Sequence, residues 1–201
     1  MNLIVFEGPD STGKTTLLNE VLELYKDKVK LLAFPKSVKQ PVVKDGRIKT
    51  EVVPFKIISD NDMAIFETML EYLDDRYVYL LDRSYISNYV YESVFANFRS
   101  DGLLHSYWKL EKKHNVLLIP LMRDPIDGGY QDDLINVSNR QDNFTIFLYN
   151  IAYSSIKTEN PILAKHPTGL RLLTKKNKPI IENRQFVLNV IDDFIKRANK
   201  P

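Results

Sequence analysis

The segment MNLIVFEGPDSTGKTT at residues 1–16 constrains this chain more than any other, because a short apolar run opens directly onto a complete phosphate-binding loop. Gly8, Gly13, Lys14 and Thr15 fit G-x-x-x-x-G-K-[ST]. Glycines let successive backbone N–H groups converge on phosphate oxygens, and the helix that follows adds the positive end of its dipole. Lys14 can reach the β and γ phosphates as a point charge, and the hydroxyl of Thr15 is a hard oxygen ligand suited to Mg²⁺. The loop Gly8, Pro9, Asp10, Ser11, Thr12, Gly13, Lys14, Thr15 and Thr16 is therefore expected to hold Mg-ATP.

At average composition a chain of this length would match the motif by accident on the order of one time in a hundred. Context lowers that further. Leu3 to Phe6 is a buried-strand run, and Leu17, Leu18, Val21, Leu22 and Tyr25 recur at helical spacing just after the loop, which is the strand–loop–helix setting the mechanism requires.

Composition agrees with one α/β domain spanning residues 1–201: 44% hydrophobic and 27% charged residues are ordinary globular values. The 28 basic residues are scattered and nearly matched by 26 acidic ones, so no nucleic-acid surface is expected. The absence of cysteine excludes disulfides, thiolate nucleophiles and Cys-based zinc sites. No apolar run is long enough for a membrane span and the first strand lacks a basic signal-type start, so a cytoplasmic setting is expected, in a host cell if the source is viral.

Short apolar runs alternate with longer amphipathic ones. Residues 3–6, 31–34, 77–81, 116–121 and 179–181 read as five strands, with helical patterns near 14–26, 61–75, 87–114, 143–157 and 185–198. Alternation of this kind predicts a five-stranded parallel sheet covered by helices on both faces, a three-layer P-loop NTPase-type fold with its site at the carboxyl ends of the strands. Two stretches look irregular, 37–54 and 159–178; the first could be a substrate loop, the second a surface insertion or a lip over the base of the triphosphate.

The third strand ends in Asp82-Arg83-Ser84-Tyr85-Ile86-Ser87. A carboxylate beside the phosphate loop can hold Mg²⁺ through water, and an arginine next to it can bridge donor and acceptor phosphates as charge moves between them. An isolated Asp-Arg pair is usually a surface ion pair; after a phosphate loop and at the end of a strand, the catalytic reading outweighs it.

With these residues in view, FEGPDSTGKTT resembles the phosphate loop of the thymidylate kinase family, whose distinguishing feature is an acid at the third position, here Asp10. Residues 82–91 are similar to that family's DRYxxSxxAY, matching at Asp82, Arg83, Ser87 and Tyr91, and Phe34-Pro35-Lys36 resembles the FP element of its eukaryotic and viral members. Arg140 falls where the family carries a lid arginine, in a lid segment near 123–143, before the helix read at Phe144 to Ile156. The resemblance implies a deoxynucleoside monophosphate kinase, with dTMP or dUMP as acceptor, ATP as donor and Mg²⁺ as cofactor. It also implies a homodimer. Asp10 would hold the acceptor's 3′-hydroxyl, Arg83 its phosphate, and Tyr91 the sugar face, leaving no room for a 2′-hydroxyl. Ser11 stands where some members have a loop arginine, which makes Arg140 the lid cation. Lid closure would exclude water.

The departures concern the acceptor. The FPxR arginine falls on Ser37, leaving Lys36 or Lys39 to hold the acceptor phosphate. The base-stacking phenylalanine falls on Ile58, with Phe66 as a substitute or a core residue, and the base-reading arginine and glutamine fall on Asp62 and Glu92. Ionised carboxylates only accept hydrogen bonds, so Asp62 and Glu92 would suit an amino-bearing base, and dCMP or a modified dCMP is the alternative acceptor. A deoxynucleoside kinase is the nearest rival class, because Asp82-Arg83-Ser84 can be read as its Arg-Ser element. The three histidines have no paired spacing and receive no role, and Trp108 with Leu104, Tyr107 and Leu110 reads as a helix-packing face or a dimer face. A P-loop switch is poorly supported, since Asn177-Lys178-Pro179-Ile180 fails NKxD at its last position.

Overall fold

The computed structural model describes residues 1–9, 11–32, 37–54, 60–84, 86–87, 90, 100–123, 137–153, 159–175 and 178–199. Its centre is β1 (Asn2–Glu7), paired in parallel on one side with β5 (Val78–Asp82) and on the other with β6 (Asn115–Arg123). The apolar runs make these strands central. Side chains alternate across the pleat, and Leu3 and Val5 enter one core while Ile4 and Phe6 enter the other.

The sheet continues outward to β2 (Val29–Leu32) beyond β5, and to β7 (Leu170–Lys175) and then β8 (Lys178–Ile181) beyond β6. Five strands in the order β2-β5-β1-β6-β7 are parallel, and β8 closes the edge antiparallel to β7. The expected five-stranded parallel sheet is present, with a different fifth strand. Leu170–Lys175 is the fifth parallel strand, and the run expected there, Pro179–Ile181, is the antiparallel edge. The second strand starts two residues earlier than read, at Val29.

Helices cover both faces. On one side α1 (Lys14–Tyr25) and α6 (Arg184–Ala198) bury Leu17, Val21, Val187, Ile191 and Phe194 against Ile4, Phe6 and Leu80. On the other, α2 (Asp60–Glu71), α3 (Ser100–Lys113) and α4 (Val137–Tyr153) bury Phe66, Leu70, Tyr107, Phe147 and Ile151 against Leu3, Val5 and Leu118. A side chain of this size contributes roughly 1.5–3 kcal/mol when fully buried, so each layer has ample driving force. A short helix α5 (Pro161–Lys165) is capped by Asn160, whose Oδ1 accepts from the N–H groups of Ile162 at 2.9 Å and Leu163 at 3.1 Å. Its amide donates to the Leu118 carbonyl at 2.9 Å, which ties the helix to β6.

The stretch 37–54, read as irregular, is a hairpin of β3 (Ser37–Lys44) and β4 (Arg47–Pro54), a two-stranded sheet of its own. Asp45 at φ 56° and Gly46 at φ 69° form the turn. Both central residues in the left-handed region is the type I′ geometry that Asp-Gly favours.

Candidate active site

Three strand ends converge on the phosphate loop. The β1 chain leaves the sheet at Gly8, whose φ of +135° and tight approach to Leu121 exclude a side chain: a Cβ there would lie 1.9 Å from the Leu121 carbonyl oxygen. The loop then turns through Ser11 at φ 58° and Gly13 at φ 84°, and α1 starts at Lys14 with no side-chain cap. Its first-turn N–H groups therefore face a cavity of about 280 Å³ lined by Ser11 to Thr16, Asp82 and Arg83.

Inside the loop, Thr12 is buried and donates to the Pro9 carbonyl at 3.0 Å. Lys14 is buried too, and its ammonium bends back over the loop to donate to the Pro9 carbonyl and, at 3.3 Å, to Thr12 Oγ1. Thr15 Oγ1 donates to Asp82 Oδ2 at 3.2 Å. The two motifs, far apart in sequence, thus meet at one hydroxyl and one carboxylate, placed by the parallel register of β1 and β5 that sets Phe6 beside Asp82.

Arg83 follows in the left-handed region at φ 73°. Its backbone N–H donates to the Phe6 carbonyl at 3.0 Å, and its Nη1 donates to the Gly8 carbonyl at 2.8 Å and Ser87 Oγ at 3.0 Å. The guanidinium is thereby held at the root of the phosphate loop.

Two residues that sequence reasoning missed belong to this assembly. Glu7, 1% exposed, accepts from the Ser84 N–H at 2.6 Å, the Ser84 hydroxyl at 2.6 Å and the Ser87 hydroxyl at 2.5 Å. Burial pushes its carboxyl above the ordinary range, against the Ser84 and Ser87 hydrogen bonds and the Arg83 charge, which pull it down. Arg123, the last residue of β6, donates to the Ser11 carbonyl at 3.2 Å. The available signal was a charged residue at the carboxyl end of an otherwise apolar strand, in both cases.

Not every expected residue joins the site. Phe66 is 1% exposed and packs among Leu70, Tyr79 and Val90, so its ring belongs to the core and is corrected from base-stacking candidate to packing residue. Ser87 is buried, with its hydroxyl between Glu7 and Arg83, so it touches the arginine that would meet an acceptor phosphate. Asp10, Phe34, Lys36, Tyr91 and Glu92 lie outside the described residues, as do the side chains of Asp62 and Arg140. Arg140 was expected before a helix; α4 begins at Val137, so its backbone is inside that helix.

A second cavity of about 580 Å³ lies across the loop, with apolar walls from Leu17, Leu172 and Ile181 and an Arg184–Glu20 ion pair among its lining residues. Among the described residues no group of three or more His, Cys, Asp or Glu side chains could cage a metal. Thr15 and Asp82 offer one hydroxyl and one carboxylate, which fits a Mg²⁺ that keeps its waters and borrows phosphate oxygens, and does not fit an all-protein cage.

No family model matches the chain. A probable thymidylate kinase from Archaeoglobus fulgidus is 34% identical over 98 residues, which is 46% of this chain and 50% of that relative. The chain thus matches about half the length of the curated relative. A crystal structure of thymidylate kinase from Ehrlichia chaffeensis aligns over 96% of this chain and 97% of its own at 15% identity, with a TM-score of 0.43, too distant to add to the argument. The partial likeness to the archaeal protein and the motifs around Gly8 and Asp82 are consistent with one family, the thymidylate kinases.

Proposed function

We propose that this chain is a deoxynucleoside 5′-monophosphate kinase of the thymidylate kinase type, transferring the γ-phosphate of Mg-ATP to dTMP or dUMP. The observation that carries the reading is the meeting of Thr15 with Asp82 and of Arg83 with Gly8 at one mouth, at 3.2 Å and 2.8 Å. Phosphoryl transfer asks the protein for little beyond positioning and charge, and these groups offer both.

On this reading the triphosphate lies against the N–H groups of the loop and the first turn of α1. Lys14 exchanges its contacts with the Pro9 carbonyl and Thr12 for phosphate oxygens, keeping its charge where the β and γ phosphates meet. Thr15 and Asp82 would hold the metal, which when bound would offset phosphate charge. Arg83, held through Nη1 by the Gly8 carbonyl and Ser87, brings its guanidinium charge to the acceptor phosphate. The apolar cavity beside Leu17 and Ile181 suits the donor base.

The remaining roles rest on the resemblance alone. Asp10 orders the acceptor, Lys36 supplements its phosphate contact, Tyr91 excludes a 2′-hydroxyl, and Arg140 closes from the lid near 123–143. The same reading includes one domain, a homodimer, a cytoplasmic setting and no nucleic-acid partner. Among the described residues no helix is long and apolar enough to cross a membrane. The test is a panel of deoxy- and ribonucleoside monophosphates with Mg-ATP, read as diphosphate formed. Deoxy pyrimidines, dTMP or dUMP first, should dominate; turnover of dCMP alone would transfer base reading to Asp62 and Glu92.

A further inference from the structure

Arg83 is the residue that must be aimed, and nothing in its own conformation favours the aim. A non-glycine residue at φ 73° is held against its preference, and an arginine side chain has many rotamers to lose. What holds it comes from the strand next door. The Phe6 carbonyl takes the Arg83 N–H, and the next side chain along β1, Glu7, takes the N–H and hydroxyl of Ser84 on the far side of the turn. The unusual residue is pinned before and after by consecutive residues of β1.

The same carboxylate reaches further. Its other oxygen accepts the Ser87 hydroxyl at 2.5 Å, and that hydroxyl oxygen accepts Arg83 Nη1 at 3.0 Å. A relay Glu7–Ser87–Arg83 therefore ends on the guanidinium, whose Nη1 also donates to the Gly8 carbonyl. The Ser84 N–H and the two serine hydroxyls are thus oriented by one carboxylate. We propose that Glu7 is the positioning residue of the site: through Ser84 and Ser87 it sets both the backbone turn and the side-chain direction of Arg83. This rests on the kinase reading for its effect on turnover, and on the hydrogen bonds alone for its effect on Arg83. Glu7 does not itself meet substrate, since it is 1% exposed with both oxygens occupied.

Glutamine at this position keeps the shape but has a single acceptor oxygen, and its NH₂ cannot receive the Ser hydroxyl proton. Glu7→Gln should lower kcat by about 10- to 100-fold while Mg-ATP affinity, measured by calorimetry, stays within about threefold, because the loop that binds the triphosphate is untouched. Ser87→Ala removes only the relay and should give the same kcat-selective loss, smaller in size, which covers the case of a poorly folding Glu7→Gln. The independent readout is the ¹⁵N spectrum of the arginine guanidinium groups, with the Arg83 signal assigned by its loss in Arg83→Lys. Its NH groups should rotate slowly in the wild type and measurably faster in Glu7→Gln and Ser87→Ala, where the Gly8 carbonyl remains but the Ser87 contact is loosened or lost. Unchanged Arg83 signals in a folded variant overturn the proposal, as does a kcat loss without a change in those signals. If the wild type phosphorylates no monophosphate, the kinase reading fails and the spectral arm still decides whether Glu7 positions Arg83.

Discussion

Replacing Gly8 by alanine should damage this protein more than any other glycine substitution in the loop. The added Cβ would sit 1.9 Å from the Leu121 carbonyl oxygen and 2.9 Å from its carbon, and both atoms are backbone of a central strand that cannot rotate away. An ordinary carbon–oxygen contact is about 3.3 Å, so β1 and β6 must separate by more than an ångström at their carboxyl ends. Overpacking of this kind costs about 1–3 kcal/mol, and a side chain at φ +135° costs a further ~1–3 kcal/mol. A central sum of about 4 kcal/mol, set against the usual total stability of about 5–15, should lower the thermal midpoint by about 8–16 °C in a chain of this length. The shift also moves the phosphate loop and the Gly8 carbonyl that anchors Arg83, so any folded fraction should bind ATP more weakly and turn over slowly. Gly13→Ala is the control. Its Cβ would meet Leu172 Cδ1 at 3.5 Å, an ordinary contact, leaving only the φ +84° strain of about 1–2 kcal/mol and a drop of about 2–8 °C. Calorimetric melting of both variants, with ATP titration, checks this. Equal midpoints for the two would refute the role assigned to the Leu121 contact.

Two further outcomes follow from the same geometry. Arg83→Ala should cut turnover by roughly 10³-fold or more in steady-state assays with little change in the urea midpoint, because its charge is needed in the transition state and its side chain is only partly buried. His114, buried beside the N-terminal ammonium at 3.5 Å, has a pKa held below the ordinary 6.5 by burial first, then by that ammonium and Lys113. The native state therefore binds fewer protons than the unfolded chain, and stability present above pH 6.5 is lost as pH falls below it. Urea midpoints of His114→Leu should show a flatter decline over that range than the wild type; parallel slopes would remove His114 from the acid response.

The phosphate loop, the α1 face and the Asp82–Arg83 strand end were legible because each is a local pattern: glycine spacing, 3.6-residue periodicity, and a charged pair ending an apolar run. The hairpin was missed although Asp45-Gly46 between valine and isoleucine runs is a strong local turn signal, since the prolines and lysines nearby mask the alternation. The β7 strand was missed because adjacent Leu172 and Leu173 break the apolar–polar alternation and Thr174-Lys175 end the run in polar residues. The start of α4 was read late because Ser138 to Asn143 is polar, so nearly two turns of polar residues precede the apolar run that begins at Phe144. Glu7 could not be read at all without the sheet: its partners Ser84 and Ser87 are 77 and 80 residues away, and only the register of β1 against β5 brings them together.

Acceptor class is where the proposed function is most exposed, since Asp82-Arg83-Ser84 suits a nucleoside kinase nearly as well as a monophosphate kinase. The direct measurement is kcat/KM with dTMP and with thymidine, side by side, under saturating Mg-ATP. With Arg83 held at the mouth of the phosphate loop and Lys36 or Lys39 in place of the family's arginine, the acceptor's phosphate should contribute to transition-state binding, and dTMP should be favoured by about 10²-fold or more. Phosphorylation of thymidine at equal or greater efficiency would contradict the account.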